Sequence, residues 1–482
     1  MEDQSAHLKP LATPESSFRR SILSYGFANF FSRALSFLLV FAYAWILDPA
    51  SVGVLALIES AAIFLSTAYL GGLDLAAHER LNRVSSIADP EGAVDTLLAM
   101  QFRHTLGGSL ISAALILALP IETKIGLSKT DLILATVLAA FSSLNQLGLS
   151  IQQARHRARS YLRAITWSSI VTVAVGLFLV IVVRAGVLGV IMGRIAGLSI
   201  SILLARPSFS LRIKLAIAGL AAWPLMFYQL LVQALNIGDR FILAIFLPQS
   251  DVGRYSLAYA VGMTLHYVTL SIWQAWSPHF HFLAQQGEAT RRQRAETTAR
   301  SLENIIVLAI LVCALSWVAV RIVLAPVYWS AAELIPWIAV GYTFHAAFLF
   351  FQLPIIQTNR LMSSVYVTGL AAVVNVTTNI LLIPRFGIMA AALATAVGFS
   401  IQAVAALFFA QRCEHLPYPL RRLLWLTAIL IAAAVAGSLQ SHPSIRMTAM
   451  VFSAMLLVLA LVFIRKEIYQ WLTPMSAQGQ VE

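Results

Sequence analysis

Apolar stretches of about twenty residues, long enough to cross a bilayer as helices, recur between Ser21 and Ile464. Short polar joints divide them into fourteen predicted spans: 21–47, 51–72, 105–121, 131–153, 165–183, 186–205, 215–247, 251–279, 304–324, 332–356, 363–383, 386–410, 423–439 and 447–464. No run of alternating ten-residue segments favours a β-barrel.

The pattern repeats. Asn236–Leu257, NIGDRFILAIFLPQSDVGRYSL, falls on Ser36–Leu57, SFLLVFAYAWILDPASVGVLAL, at an offset of 200 positions. Phe41/Phe241, Ala44/Ala244, Leu47/Leu247, Val52/Val252, Gly53/Gly253 and Leu57/Leu257 then coincide without a gap. A second match has an offset of 201: Arg184-Ala-Gly186 opens span 6 and Arg385-Phe-Gly387 opens span 12, with Gly197/Gly398, Ser199/Ser400 and Ile200/Ile401 behind them. The duplicated unit is six spans, so the expected plan is two parallel six-helix bundles about a central site, as in many transporters. The boundaries expected are a tail at 1–20, bundles at 21–214 and 215–415, and two further spans with a tail at 416–482.

Polar residues inside the spans follow the same symmetry. Asn29, Arg33 and Ser36 share one face of span 1, and Gln229, Gln233, Asn236 and Arg240 share one face of span 7. The first three of the second set fall on the first set at the 200-residue shift. Span 2 adds Glu59 and Ser66, whose counterparts in span 8 are Tyr259 and His266, on a stripe with Tyr255, Thr269 and Trp273. Ionisable groups at membrane depth normally face a bundle interior or a water-filled cavity. Among the deep charges Arg33, Arg194, Arg240 and Arg254 outnumber Glu59 and Asp239. A cavity lined this way suits an anion, and the planar arginine fork suits phosphate or diphosphate. Glu59, a carboxylate in hydrocarbon, is a candidate coupling site for H+ or Na+.

Each residue also has a plainer role open to it. Arg33–Glu59 and Asp239–Arg240 could be purely structural ion pairs, and Arg254 could snorkel to the interface. His266 and His345 read as lone core histidines. Asn145, Gln146, Asn375 and Asn379 read as interhelical glue. The aligned stripes carry more weight than any single member.

Composition narrows the class. Hydrophobic residues are 59% of the chain and charged residues 11%, with a mean hydropathy of +0.80, which excludes a water-soluble globule. Residues 1–20 lack an apolar core, so no cleaved signal peptide is expected. The net charge of +12 is primarily topology and not nucleic-acid affinity, because 23 of the 33 Lys and Arg lie in the tails and in alternate joints. By the positive-inside rule both termini are cytoplasmic. The two cysteines, Cys313 and Cys413, build neither a disulfide framework nor a metal site, and no cofactor is expected.

AAWPLMFYQLLVQALNIGDRFILAIFLPQSDVGRYSLAYA and NILLIPRFGIMAAALATAVGF (Asn379–Phe399) resemble the membrane polysaccharide transporters, the Wzx-type oligosaccharide flippases of the MOP superfamily. WILDPASVGVLAL and LGGLDLAAHERL are similar to first-half hallmarks of that family, while Ala390 stands where a glycine is commoner. The resemblance implies an all-α, polytopic, MATE-like fold in the bacterial inner membrane. It implies flipping of undecaprenyl-diphosphate-linked oligosaccharide, an O-antigen or exopolysaccharide repeat unit, by alternating access. By that analogy Arg33, Arg240 and Arg254 contact the head group, with Asn29, Gln229, Gln233 and Asn236 beside them. Tyr255, Tyr259 and Trp273 stack on sugar rings, and Glu59 and Asp239 serve gating or coupling to H+ or Na+. A polysaccharide polymerase or glycosyltransferase is the candidate protein partner. The competing transporters are a lipid II flippase and a MATE-type multidrug exporter, although deep acids should dominate in an exporter of organic cations. A membrane enzyme would need a sizeable outer loop with catalytic residues, and the outer joints here are short.

Overall fold

A computed structural model describes residues 37–74, 90–118, 125–155, 157–205 and 223–472, with Leu35 and Ala77. The chain is an all-α polytopic membrane protein, and no strand occurs among the described residues. Ten of the described helical segments are long and apolar enough to cross a bilayer, and two shorter apolar helices cover Phe37–Ile46 and Arg446–Val462. We number the helices α1 (Phe37–Ile46), α2 (Pro49–Leu70), α3 (Pro90–Ala118), α4 (Lys129–Ala154), α5 (Ala158–Leu177) and α6 (Gly186–Leu204). The numbering continues through α7 (Trp223–Phe246), α8 (Gln249–Gly262), α9 (Thr264–Gln285), α10 (Arg291–Val323), α11 (Ile335–Phe351), α12 (Leu353–Gln357), α13 (Leu361–Phe386), α14 (Ile388–Cys413), α15 (Leu420–Leu439) and α16 (Arg446–Leu472).

Two compact units emerge. One holds residues 61–120 and 129–227 with the start of the chain; the other holds 43–60, 121–128 and everything from 228 onward. The tip of the first hairpin, 43–60, is therefore part of the second unit.

In the first unit α5 lies against α6. A Cβ on Gly193 would stand 2.5 Å from the Gly176 Cα, so only glycine admits this approach. α5 ends in a π-turn, Phe178–Val182, before Arg184 and Gly186 turn the chain at φ of 58° and 54°. A side chain at positive φ is strained, and glycine avoids this at position 186. Gly387 opens α14 of the second unit at φ 62°, the same device one repeat later. α3 starts at Pro90, well before the expected 105. Val94, Leu97 and Met100 bury one face of that extension in a core with Leu70, Leu73, Leu147 and Ile151, and the burial makes a helix of what read as a loop.

In the second unit the hairpin repeat becomes a local two-fold. α2 and α8 cross at Gly53 and Gly253: a Cβ on Gly53 would sit 2.0 Å from the Gln249 carbonyl oxygen, and a Cβ on Gly253 would sit 2.0 Å from that of Pro49. The two contacts exchange under the 200-residue shift. The Tyr328 hydroxyl donates to the Leu47 carbonyl at 2.9 Å and the Trp45 indole to that of Val323 at 2.9 Å, anchoring the same tip.

Three further expected spans need correction. The eighth is two helices, α8 and α9, joined by one tightened turn at Met263. The break follows Gly262, whose missing Cβ leaves space for Ile338 of α11. The tenth is a 3-10 segment, Pro326–Glu333, followed by α11 and α12. Pro336 and Pro354 each stand in a first turn, where the absent N–H costs no intrahelical bond. The ninth starts at Arg291 instead of 304. Its polar extension is held by ion pairs: Arg294 forks onto Glu414 at 2.6 and 2.7 Å, and Arg422 reaches Glu296 at 2.9 Å and Glu303 at 2.7 Å.

Candidate functional site

α7 carries Asp239 and Arg240 into the second unit, where they are 1% and 8% exposed. Two adjacent ionisable residues on an apolar helix cannot remain there unless other elements supply partners. Two other helices do so, and α7 itself adds the rest. α8 gives the Tyr255 hydroxyl, which donates to the Asp239 carboxylate. α14 gives Thr395, whose hydroxyl lies 3.5 Å from the same oxygen, 3.4 Å from the Tyr255 hydroxyl and 3.0 Å from the Ala391 carbonyl. The Arg240 Nη1 donates to Asp239 Oδ1 at 3.3 Å and to the Asn236 carbonyl at 3.3 Å. Its guanidinium carbon lies 4.4 Å from the centre of the Tyr259 ring, a cation–π contact.

An aromatic and imidazole layer continues from there. Tyr259 packs on Tyr342 of α11 at 5.6 Å, Tyr342 on His266 at 5.4 Å, and His266 on His345 at 5.2 Å between ring centres. The His345 Nδ1 pairs with the Gln402 amide oxygen at 3.2 Å, and the Gln402 amide donates to Thr368 at 3.2 Å. The two histidines read as isolated in the sequence thus pack against one another, their rings tilted by 49°. Asn375 acts as interhelical glue, its amide donating to the Ala394 carbonyl of α14 at 3.0 Å, whereas Asn379 donates to Asn375 within α13.

The buried cluster therefore gathers Asp239, Arg240, Tyr255 and Tyr259. Gln229, Gln233 and Asn236 are half-buried on α7, and Glu59 is half-buried on α2. Trp273 is half-buried on α9 and donates its indole N–H to the Leu349 carbonyl at 3.0 Å. Arg254 sits in the first turns of α8 in a partly exposed pair with Asp251 at 2.9 Å, a position that suits the snorkelling role. Asn29 and Arg33 lie outside the described residues. Tyr342 and Thr395 were not singled out in the sequence. Thr395 was present inside the AAALATAVGF segment, but nothing about a threonine in an alanine-rich helix announces a carboxylate partner.

The arrangement holds one carboxylate and one guanidinium in a low-dielectric setting with hydroxyls directed at the carboxylate. The Arg240 Nε and Nη2 donate to no protein acceptor among the described residues. The guanidinium thus keeps two nitrogens without a protein acceptor while Asp239 balances its charge. No group of three or more metal-ligating side chains occurs among the described residues.

A family profile described as "Polysaccharide biosynthesis protein" (Polysacc_synt) matches residues 18–284. Among curated proteins, none matches the chain. Among solved structures the chain is similar to the lipid II flippase MurJ in an inward closed conformation, with a TM-score of 0.69 and 14% identity over 93% of this chain and all of that one. It is similar to an inward-facing MATE multidrug resistance transporter of the MOP superfamily, with a TM-score of 0.62 and 15% identity over 79% of this chain and 94% of the other. A MATE protein in complex with MaL6 gives 0.57 and 14% over 83% and 96%. At such identities the likeness is one of fold.

Proposed function

From the premise that the chain belongs to the polysaccharide biosynthesis protein family, we propose that it is a flippase for undecaprenyl-diphosphate-linked oligosaccharide. It moves an O-antigen or exopolysaccharide repeat unit from the cytoplasmic to the periplasmic leaflet of the bacterial inner membrane, with both termini cytoplasmic. The observation that carries the reading is the family match, which spans both copies of the repeated hairpin. A transporter fold without enzymatic chemistry agrees with it.

In this reading Arg240 offers its remaining donors to the diphosphate, and Arg33 is assigned to the head group by the family resemblance alone. Asn29, Gln229, Gln233 and Asn236 bind beside them, Arg254 guides the head group at the rim, and Tyr255, Tyr259 and Trp273 bear on the sugars. Asp239 and Glu59 couple the cycle to H+ or Na+: a cation on either carboxylate would change the charge balance around the guanidinium groups and with it the hold on the anion. A polymerase or glycosyltransferase is the protein partner.

Deletion of the protein followed by mass analysis of the undecaprenyl-linked pool tests the reading. Accumulation of a complete, unpolymerised lipid-linked oligosaccharide is the expected result, reproduced by Arg33→Ala or Glu59→Gln with the protein still in the membrane. An unchanged pool with heightened sensitivity to organic cations would replace the reading with a drug exporter. Accumulated lipid II would replace it with a lipid II flippase.

A further inference from the structure

At the end of α10 remote from Glu414, two arginines and two tryptophans form an alternating ladder. The Arg321 guanidinium carbon lies 4.2 Å from the Trp317 ring centre and 4.1 Å from that of Trp329, and the Arg446 guanidinium carbon lies 4.4 Å from Trp317. All four side chains belong to the second unit. The rings are held in place: the Trp329 indole donates to the Leu324 carbonyl at 3.2 Å, next to the Val323 carbonyl that accepts from Trp45. Arg446 is positioned by the Gln440 and Ser441 carbonyls at 2.8 and 3.1 Å.

The ladder is unbalanced in charge. Two guanidinium groups share the Trp317 ring, yet among the described residues neither has a carboxylate partner, and the Arg321 side chain makes no hydrogen bond to them. At the other end of α10, Arg294 is matched by Glu414, and Arg422 of α15 is matched by Glu296 and Glu303. Two like charges on one ring repel unless a counter-charge joins them, and a phosphate group, with several acceptor oxygens, would supply it.

The surroundings say how that phosphate arrives. Ile322 and Met447, each next in sequence to one of the arginines, are 74% and 72% exposed, and Val451 and Met455 continue the bare apolar face along α16. In a membrane-spanning chain that surface faces acyl chains, and tryptophans beside arginines mark the hydrocarbon–water boundary. We propose that the Trp329–Arg321–Trp317–Arg446 ladder is a binding site for the phosphate head group of an anionic phospholipid. The site lies apart from the Asp239–Arg240 cluster and does not depend on what the protein transports.

The test titrates the detergent-purified full chain with phosphatidylglycerol, phosphatidylcholine or inorganic phosphate, reading adducts by native mass spectrometry and the melting temperature. Phosphatidylglycerol is expected to be retained and to raise the melting temperature; the other two are not. Arg321→Gln and Arg446→Gln should each weaken phosphatidylglycerol retention roughly five-fold, the worth of one basic residue at a charged interface. Arg360→Gln, exposed elsewhere on the unit, should leave it unchanged. Undiminished retention in Arg321→Gln overturns the proposal, as does equal binding of phosphatidylcholine. Inorganic phosphate competing on equal terms would make it a free-anion site and overturn the lipid assignment. If Arg446→Gln fails to fold because α15 loses its cap, Arg321→Gln, which breaks no hydrogen bond, decides alone.

Discussion

Asp239 takes its stability from hydroxyls on two other helices and from the neighbouring guanidinium, so removal of any one partner is felt by the rest. Tyr255→Phe deletes a donor to a buried charge and should cost about 1–3 kcal/mol in unfolding measurements in detergent. Asp239→Leu leaves Arg240 buried against Tyr259 without its counter-charge and should cost more, about 3–5 kcal/mol. If the two residues act on one another, the double variant will lose less than the sum; strictly additive losses would mean that the Tyr255–Asp239 contact carries no energy. The sequence showed the Asp–Arg pair at once, because two charges in an apolar run are conspicuous. It showed Tyr255 as part of a stripe with Tyr259. It did not show Thr395 or Tyr342, since their roles arise from which helices pack together and not from any pattern along the chain.

Between elements, the repeat was the most legible feature. An offset of 200 residues in the sequence becomes a reciprocal contact in space, with Gly53 against Gln249 and Gly253 against Pro49. Gly53→Ala places a methyl at 2.0 Å from a backbone oxygen, so α2 and α8 must part; overpacking of this kind costs about 1–3 kcal/mol or more. Gly253→Ala should cost about the same, and the double variant little more than either, because one separation relieves both clashes. Independent losses would show that the crossing is not shared. Helix breaks were less legible. The Met263 turn depends on Ile338 filling the space beside Gly262, and the early start of α10 depends on Glu414 and Arg422, both more than a hundred residues away. Glu414 also sets a pH dependence. The Arg294 hydrogen bonds hold its carboxyl below the ordinary value of 4.5, outweighing partial burial. A depressed folded-state value means the contribution is fully present above 4.5 and lost as pH falls through the lowered value. The melting temperature should therefore drop across the acid carboxylate range in the wild type. Glu414→Gln should start lower at neutral pH and lack that component; identical acid profiles would assign the drop to other groups.

For the whole molecule, α10 is the natural ruler. Its 33 residues reach about 50 Å at 1.5 Å per residue, enough to cross the membrane with polar ends on both sides. One end carries the Arg294–Glu414 and Arg422–Glu303 pairs, and the other carries Arg321 beside Trp317 and Trp329. Arginines thus occur at both ends and do not by themselves orient the chain. The bias is what the proposed orientation rests on: 23 of 33 basic residues fall in the tails and joints assigned to the Glu414 side, so that side is expected in the cytoplasm. Cysteine labelling reads this directly. Cys313 is buried and Cys413 half-buried, so both are first replaced by alanine. Ser330→Cys, in the exposed part of the 3-10 segment after α10, should then react with a membrane-impermeant maleimide in cells whose inner membrane is intact and accessible. His415→Cys, exposed beside Glu414, should react only after that membrane is opened. The reverse pattern would invert the molecule, and a flippase loading from the cytoplasmic leaflet would then have to take its substrate at the Trp45–Tyr328 end of the second unit. Labelling of both positions in intact cells would mean that the Glu414 end does not lie behind a sealed bilayer, contrary to the spanning role of α10.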